Sequence, residues 1–121
     1  GKRCSVFGDG LQSRDFTYVK DAVKATYASA LIDRQSDMVF NIGGGIRASI
    51  REVLDAIAST VGAPMNVDFV DKQVGDVRDT VADISRAKNI LGFAPDTSLS
   101  EGIEKEITWL RATLGSQVGE N

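Results

Sequence analysis

Three consecutive glycines, Gly43 to Gly45, are followed by Ala48 and complete the pattern G-x-G-x-x-A. After an apolar run, this pattern can bind a dinucleotide, because amides at the start of the next helix face the pyrophosphate. Here Ser49 and Glu52 form the S-x-x-E pattern of a capping box, which places the helix start beyond the glycines. Asp71 fits the acidic part of the fingerprint only at a looser spacing than the roughly 20 residues expected. We therefore interpret the glycines as a strand-to-helix connection, with cofactor binding as the alternative.

The residue types that are absent limit the chemistry further. The 121-residue sequence has no histidine and one cysteine, Cys4, which excludes histidine-based catalysis and a zinc cluster of cysteines. The net charge of -3 gives no general footprint for nucleic acid or an anionic membrane, so neither partner is expected. No apolar run approaches the roughly 18 residues of a membrane span, and no signal peptide is evident. These features lead us to expect a cytoplasmic protein.

Hydrophobic periodicity predicts a mixed α/β fold, a small domain of a few short strands with about four helices. We expect extended stretches at 4–7, 14–19, 38–42 and 66–70, with the run MVFNI at 38–42 buried on both faces. Helices are predicted at 19–32, from Ser49 to Gly62, from Asp83 to Gly92, and after a second S-x-x-E box at Ser98. Residues 1–114 should form one domain, with a frayed tail at 115–121.

The apolar positions of these helices predict which sides face the core. In the helix at 19–32 the spaced apolar residues include Val19, Val23, Tyr27 and Leu31, and in the last helix they are Ile103, Ile107, Leu110 and Leu114. Tyr18, Tyr27 and Trp109 are assigned to packing.

Three stretches, at 7–25, 40–53 and 74–110, together resemble the C-terminal part of NAD-dependent nucleotide-sugar epimerases and dehydratases. These enzymes are extended short-chain dehydrogenases, and the UDP-glucose 4-epimerase-like group is the most similar. The resemblance implies that the glycines at 43–45 belong to a late strand and helix. It also implies that NAD binds a part of the parent enzyme that this chain lacks, so that the chain has no complete Rossmann domain and binds no cofactor itself.

The catalytic Tyr-x-x-x-Lys pair of that family is missing from this sequence. The residue four positions after Tyr18 is Ala22, and the residue four positions after Tyr27 is Leu31. We therefore expect a chain that is catalytically incomplete by itself and contains no catalytic residue.

The resemblance implies a set of substrate-binding residues. Arg14, in Q-x-R-D-F, matches the arginine that contacts the diphosphate; the alternative is a surface pair with Asp15 or another carboxylate. Asp76 matches the residue that accepts hydrogen bonds from ribose hydroxyls; the alternative is a turn residue beside Gly75. Phe7, with the backbone of Val6, matches the segment that lies against the base, although a core phenylalanine is the stronger alternative.

One position departs from the family pattern. Gln73 stands where the epimerase group commonly has a second phosphate-binding arginine, and glutamine keeps a donor but loses the charge. The adjacent Lys72 could supply that charge. Arg78 is a further candidate cation, with a salt bridge to Asp79 or Asp83 as the alternative.

The predicted function is the nucleotide-sugar-binding portion of such an enzyme, with a UDP-sugar as the ligand. The alternative is a free-standing interaction or oligomerisation module without a ligand. In that case the segment at 38–42 and the helix at 19–32 would expose apolar surface, through which copies could associate. An autonomous enzyme with unrelated chemistry is the third hypothesis, and the lack of a recognisable nucleophile pair disfavours it.

Overall fold

The computed structural model describes residues 3–33 and 38–114. These residues form four strands and four helices, which confirms the predicted mixed α/β class. In chain order the elements are β1 (Cys4–Phe7), β2 (Ser13–Asp15), α1 (Val19–Ala30), β3 (Arg47–Ser49), α2 (Ile50–Val61), β4 (Val67–Val70), α3 (Ser85–Leu91) and α4 (Leu99–Leu114). The predicted tail at 115–121 lies outside the described residues.

The strands form two separate two-stranded sheets. β1 pairs in parallel with β4, so that Val6 lies beside Phe69, and the buried Val6 side chain faces the interior. β2 pairs antiparallel with β3, which sets Arg14 opposite Ala48. The second pairing brings the segment after the glycines against the Q-x-R-D-F segment.

The limits of α2 follow from its end signals. Ser49 Oγ accepts a hydrogen bond from the Glu52 amide at 3.2 Å, and the Glu52 carboxylate accepts one from the Ser49 amide at 2.7 Å. This is the predicted capping box, and it satisfies two amides at once. Gly62 ends the helix with a φ of 75°, a left-handed conformation that costs glycine little.

The N-terminal signals predicted for α3 and α4, at Asp83 and Ser98, are confirmed in part. Helix α3 begins at Ser85 with Ile84 at the N-cap position, so the predicted cap Asp83 lies one residue further upstream, where its Oδ1 accepts the Ser85 amide at 3.0 Å. At α4, Ser98 Oγ accepts the Glu101 amide at 3.3 Å. The Glu101 carboxylate instead pairs with Lys105 at 2.5 Å, so the described bonds include only one half of the predicted box.

The core lies between α1 and α3, and it uses the side of α1 opposite to the one that was predicted. Its buried members are Ala25, Ile84, Ala87 and Phe93. The predicted apolar stripe of α1 is exposed instead: Val19, Val23, Tyr27 and Leu31 are 60–67% exposed. The small side chains of Ala25 and Ala87 let the two helices approach closely, which fixes the rotation of α1.

The predicted strand at 38–42 is not one in the structure. Phe40 and Ile42 pack against the core, whereas Val39 and Asn41 are exposed. The run therefore alternates as a strand would, but only one of its faces is covered. No strand of the described residues lies beside it, so the prediction of burial on both faces is wrong.

Helix α4 packs against α2. Ile103 and Ile107 are half-buried as predicted, but Leu110 and Leu114 are exposed. The assignment of the aromatic residues to packing is also wrong for Tyr27 and Trp109, which are 67% and 61% exposed.

Candidate functional site

A glycine-rich turn after β1 forms one wall of the candidate site. Gly8 and Gly10 have φ values of 75° and 73°, and a Cβ atom on Gly10 would lie 2.9 Å from the Phe69 ring. Only glycine therefore allows the turn to pack this closely on β4. Gln12 Nε2 donates to the Phe7 carbonyl at 2.8 Å, which ties the end of the turn back to β1.

The turn encloses a cavity of about 230 Å³ with the loop that follows β4. Its charged residues come from both segments, two carboxylates and two cations. The lining residues are Phe7, Gly8, Asp9, Gln12, Lys72, Asp76 and Arg78. Charged, hydrogen-bonding and aromatic groups in one small cavity can bind a polar, anionic ligand with a flat ring.

Arg14 lies at the edge of this group and pairs with Asp76. Its Nη2 is 2.5 Å from Asp76 Oδ1, and both side chains are close to 30% exposed. Its Nη1 donates to the carbonyls of Ser13 and Arg78, at 2.8 and 3.2 Å. The predicted diphosphate and ribose residues are thus in direct contact with each other.

Ser13 joins the loop after β4 to β2. Its amide donates to the Arg78 carbonyl at 2.9 Å, and its carbonyl accepts the Thr80 amide at 3.2 Å. Its hydroxyl also donates to Asp79. These bonds hold the loop at 76–80 beside Arg14, although the two segments are more than 60 residues apart in the chain.

The structure brings together most of the predicted site residues. Phe7 is 43% exposed and lines the cavity, so the alternative of a core residue is wrong. Lys72, Asp76 and Arg78 also line it. Val6 is buried within β1, and Gln73 is exposed and is not among the lining residues.

The alternatives that were given for Arg78 and Asp76 have different outcomes in the structure. Arg78 pairs with Asp9 at 3.5 Å rather than with Asp79 or Asp83, so that alternative is wrong. The hydrogen bond from the Leu11 amide, together with the Arg78 charge, holds the pKa of Asp9 below its usual value. Asp76 is indeed part of a turn, because its amide donates to the Gln73 carbonyl at 3.3 Å, and it also pairs with Arg14.

The glycines at 43–45 have a structural role around Asp15. The Asp15 carboxylate accepts hydrogen bonds from the amides of Gly44 (2.6 Å), Gly45 (3.3 Å) and Ala82 (3.1 Å). A Cβ atom at Gly43 would lie 2.5 Å from Asp15 Oδ2, and one at Gly44 would lie 2.5 Å from the Phe16 carbonyl oxygen. The absence of side chains at Gly43 and Gly44 therefore leaves room for the Asp15 carboxylate and for the Phe16 backbone just after β2.

The start of α2 does not fit a pyrophosphate either. The Ile50 amide donates to the Gln12 backbone carbonyl, and the Arg51 amide donates to the Gly10 carbonyl. The Glu52 amide donates to the Ser49 hydroxyl. These are the amides that would face a phosphate at a helix N-terminus. Since protein acceptors already hold them, the residues of this loop do not fit a dinucleotide.

Sequence reasoning missed Asp15, Asp9 and Gln12. The segment GDG at 8–10 predicts a turn by its composition, and the sequence offers Asp15 only as an alternative partner of Arg14. An aspartate one residue before a glycine, in a loop next to a strand, is a signal for a side chain that accepts nearby amides, which is what Asp9 does. Asp15 gave no local signal, because its acceptor role depends on amides almost 30 and 67 residues away.

A second cavity, of about 550 Å³, lies between the segment before α1 and the first half of α4. It is larger than the first but is lined mainly by apolar side chains, including Phe16, Val19, Leu99, Ile103 and Trp109. Among the described residues that line it, the one cation is Lys105, which is already paired with Glu101 and lies 5.3 Å from the centre of the Tyr18 ring. A phosphate needs an available cation, and Lys72, which lines the smaller cavity, has no ion pair within the described residues, so we place the candidate site there.

The described residues offer neither a metal site nor a membrane-spanning helix. In the ranges 3–33 and 38–114, no group of three histidine, cysteine, aspartate or glutamate side chains is arranged to hold a metal ion. Over the same part of the chain, no helix has the length and apolar character needed to cross a membrane.

Comparison with known proteins identifies the family. The family model described as GDP-mannose 4,6 dehydratase matches residues 1–106. An uncharacterized UDP-glucose epimerase of Bacillus subtilis is 42% identical over 109 residues, which are 90% of this chain and 34% of that protein. The UDP-glucose 4-epimerase of Mycolicibacterium smegmatis is 38% identical over 92% of this chain and 35% of its own length.

The solved structure of MoeE5 in complex with UDP-glucuronic acid and NAD superposes with a TM-score of 0.89 at 37% identity. It covers 93% of this chain, which in turn covers 38% of that structure. The chain thus spans about a third of the length of the curated relatives it matches. On this evidence the chain belongs to the GDP-mannose 4,6 dehydratase family of nucleotide-sugar epimerases and dehydratases, and its fold is part of the extended short-chain dehydrogenase fold.

Proposed function

We propose that this chain is the nucleotide-sugar-binding portion of an NAD-dependent epimerase or dehydratase, and that its ligand is a UDP-sugar. The observation that carries the proposal is the convergence of Phe7, Lys72, Asp76 and Arg78 on one cavity, with Arg14 at its edge. The relatives of known structure support the ligand class, because MoeE5 was solved with UDP-glucuronic acid and with UDP-glucose.

Each residue has a role that its chemistry supports. The guanidinium of Arg14 and the cations of Lys72 and Arg78 would neutralise the diphosphate. The carboxylate of Asp76 has two oxygens that can accept both hydroxyls of the ribose. The exposed face of Phe7 would contact the base. Gln73 and the buried Val6 have smaller parts, since neither side chain lines the cavity.

The cavity volume sets how much of the ligand these residues hold. At about 230 Å³ it is smaller than the roughly 300–1,000 Å³ of a typical ligand pocket. It can therefore hold the nucleoside diphosphate in part, and the sugar would extend beyond it. The sugar-facing groups, the hydride acceptor and the Tyr-x-x-x-Lys pair would belong to other parts of the parent enzyme. We accordingly propose that the chain is catalytically incomplete by itself.

The glycine loop does not fit NAD, because the amides of Gly44 and Gly45 and those of Ile50 and Arg51 at the start of α2 are already hydrogen-bonded within the protein. We assign no step of the reaction to NAD on this chain.

Calorimetric titration with UDP, UDP-glucose and NAD tests the proposal. UDP and UDP-glucose should bind and NAD should not. Absence of UDP binding would reject the ligand assignment, and NAD binding tighter than UDP would reinstate the glycine loop as a cofactor site.

A second candidate function, an association module, is favoured by the exposed stripe of α1. Val19, Val23, Tyr27 and Leu31 lie four residues apart along one side of the helix, and each is at least 60% exposed. Contiguous apolar surface of this kind favours a partner, and a second copy of the chain offers the same face.

A further inference from the structure

The ion pair between Arg14 and Asp76 joins two side chains to which different groups of the ligand are assigned. In the proposed function Arg14 binds the diphosphate and Asp76 binds the ribose. In the structure Nη2 of Arg14 lies 2.5 Å from Oδ1 of Asp76. While this ion pair is formed, the Arg14 guanidinium lies where the ribose would contact Asp76, and the Asp76 carboxylate lies where the diphosphate would contact Arg14.

The remaining bonds of Arg14 leave its charge available. Its Nη1 donates to the carbonyls of Ser13 and Arg78, which are neutral acceptors. Asp76 is therefore the one carboxylate that the structure pairs with this guanidinium among the described residues. A diphosphate in the cavity offers a more highly charged acceptor to the same Nη2.

Asp76 is positioned to use the oxygen that this exchange would release. It lines the cavity, and its place in the loop is set by the backbone, through its amide bond to the Gln73 carbonyl and the left-handed Gly75 with a φ of 89°. Loss of the Arg14 contact would thus free the carboxylate without removing the turn that presents it.

We propose that Arg14 and Asp76 mask each other, and that a diphosphate unmasks Asp76 for the ribose by taking over Arg14. This inference rests on the proposed function. A ligand that carries both a diphosphate and a ribose replaces one ion pair with two contacts. A ligand that carries only one of them leaves either Arg14 or Asp76 without a partner. Phosphate recognition and ribose recognition are then coupled, and the chain selects nucleoside diphosphates over nucleosides and over free phosphates.

The test separates the two halves of the ligand. Uridine and inorganic pyrophosphate are titrated singly, and binding is followed by chemical-shift changes in nuclear magnetic resonance spectra. Arg14→Met should strengthen uridine binding about fivefold, the size expected for a partly exposed ion pair that no longer has to be broken. The same variant should weaken pyrophosphate binding.

Asp76→Asn gives the reciprocal result. Pyrophosphate binding should strengthen about fivefold, because Arg14 is released, while uridine binding weakens. Asp71→Asn is the matched control. It removes the same charge next to Lys72 but leaves the Arg14–Asp76 pair intact, so pyrophosphate affinity should change little.

The masking is overturned if both variants weaken both ligands, or if Asp71→Asn strengthens pyrophosphate as much as Asp76→Asn does. Because Arg14 also holds the loop at 76–80, the Asp76→Asn arm decides the matter if Arg14→Met unfolds. Failure of the proposed function looks different: the wild-type chain would then bind no UDP, while the pyrophosphate arm would still report whether Asp76 masks Arg14.

Discussion

Lys72 is the cation of the candidate site that is least committed to other groups. Arg14 pairs with Asp76, and Arg78 pairs with Asp9. In the part of the chain that the structure describes, Lys72 has no ion pair, and its stem lies against Gly8 at the cavity wall. It can therefore supply the charge that the resembled epimerases commonly place at the position of Gln73.

Lys72→Met should weaken UDP about fivefold and leave uridine unchanged, because an exposed charge contact contributes about 1 kcal/mol and only UDP carries phosphates. Calorimetry at low and high salt measures both affinities, and the loss should shrink at high salt through screening. Lys20→Met, on an exposed face of α1, is the matched control and should have little effect. An equal loss from both variants, or an equal loss for uridine, would contradict the phosphate role of Lys72.

Contacts within one helical turn are easier to predict from sequence than contacts between distant segments. The capping box of Ser49 and Glu52 was predicted because both partners lie within one helical turn. The partner of Arg14 was not identified, because Asp76 is 62 residues away and the choice among several carboxylates depends on the folded loop. The resemblance nevertheless predicted that Arg14 and Asp76 belong to one site, and the two side chains are in contact in the structure.

At the scale of elements, one buried carboxylate fixes α1 against the segment that precedes α4. Asp21 is 1% exposed, and its carboxylate accepts the Thr97 amide at 3.2 Å and Lys24 Nζ at 3.1 Å. Burial alone would raise the pKa of Asp21, but the hydrogen bonds from Lys24 and Thr97 outweigh it and lower the pKa below 3.8. The charged form is thus the one that the fold stabilises.

The sign of the pH dependence follows from that shift. A lowered pKa in the folded state means that the stabilisation is fully present above the unfolded value of 3.8. It is lost as the pH falls through the lower, folded value. Asp21→Asn should reduce the free energy of unfolding by about 2 kcal/mol at neutral pH, the contribution of hydrogen bonds to a charged group, and should reduce the loss of stability in acid.

Urea unfolding at neutral pH and below pH 3.8 measures both effects. Asp96→Asn is the control, since Asp96 also accepts from Lys24 but is 69% exposed, and its loss should cost much less. A variant of Asp21 that is as stable as the wild type at neutral pH, or that retains the full acid dependence, would show that this carboxylate does not hold the two elements together.

Element faces were harder to predict than element bounds. End signals such as Gly62 and Gly92 act through their own backbone, so α2 and α3 end where the sequence indicated. The face that a helix buries depends on the neighbours available to it. The stripe of α1 has the apolar spacing of a core face, yet α3 meets the opposite side through Ala25.

In the whole molecule, the side of α1 that does not face the core exposes a row of large apolar side chains. The stripe of Val19, Val23, Tyr27 and Leu31 runs the length of α1, and Val19 also lines the larger cavity beside Trp109. Covering such side chains is worth about 25 cal/mol per Å² of apolar area, which favours association once several are buried together. We therefore propose that, if the chain acts as an association module, this stripe is the surface that contacts a second copy.

Replacement of Val23 and Tyr27 by glutamate should abolish concentration-dependent association of the isolated chain, because two charges would be buried at the centre of the contact. Light scattering over a range of protein concentrations measures the mass, and circular dichroism checks that α1 still forms. Val74→Glu is the matched control, since Val74 is fully exposed in the loop after β4 and lies off the stripe. If the wild-type chain stays monomeric at every concentration, self-association through α1 is wrong. If Val74→Glu reduces the mass as much as the double variant does, the association is general adhesion and not a property of this face.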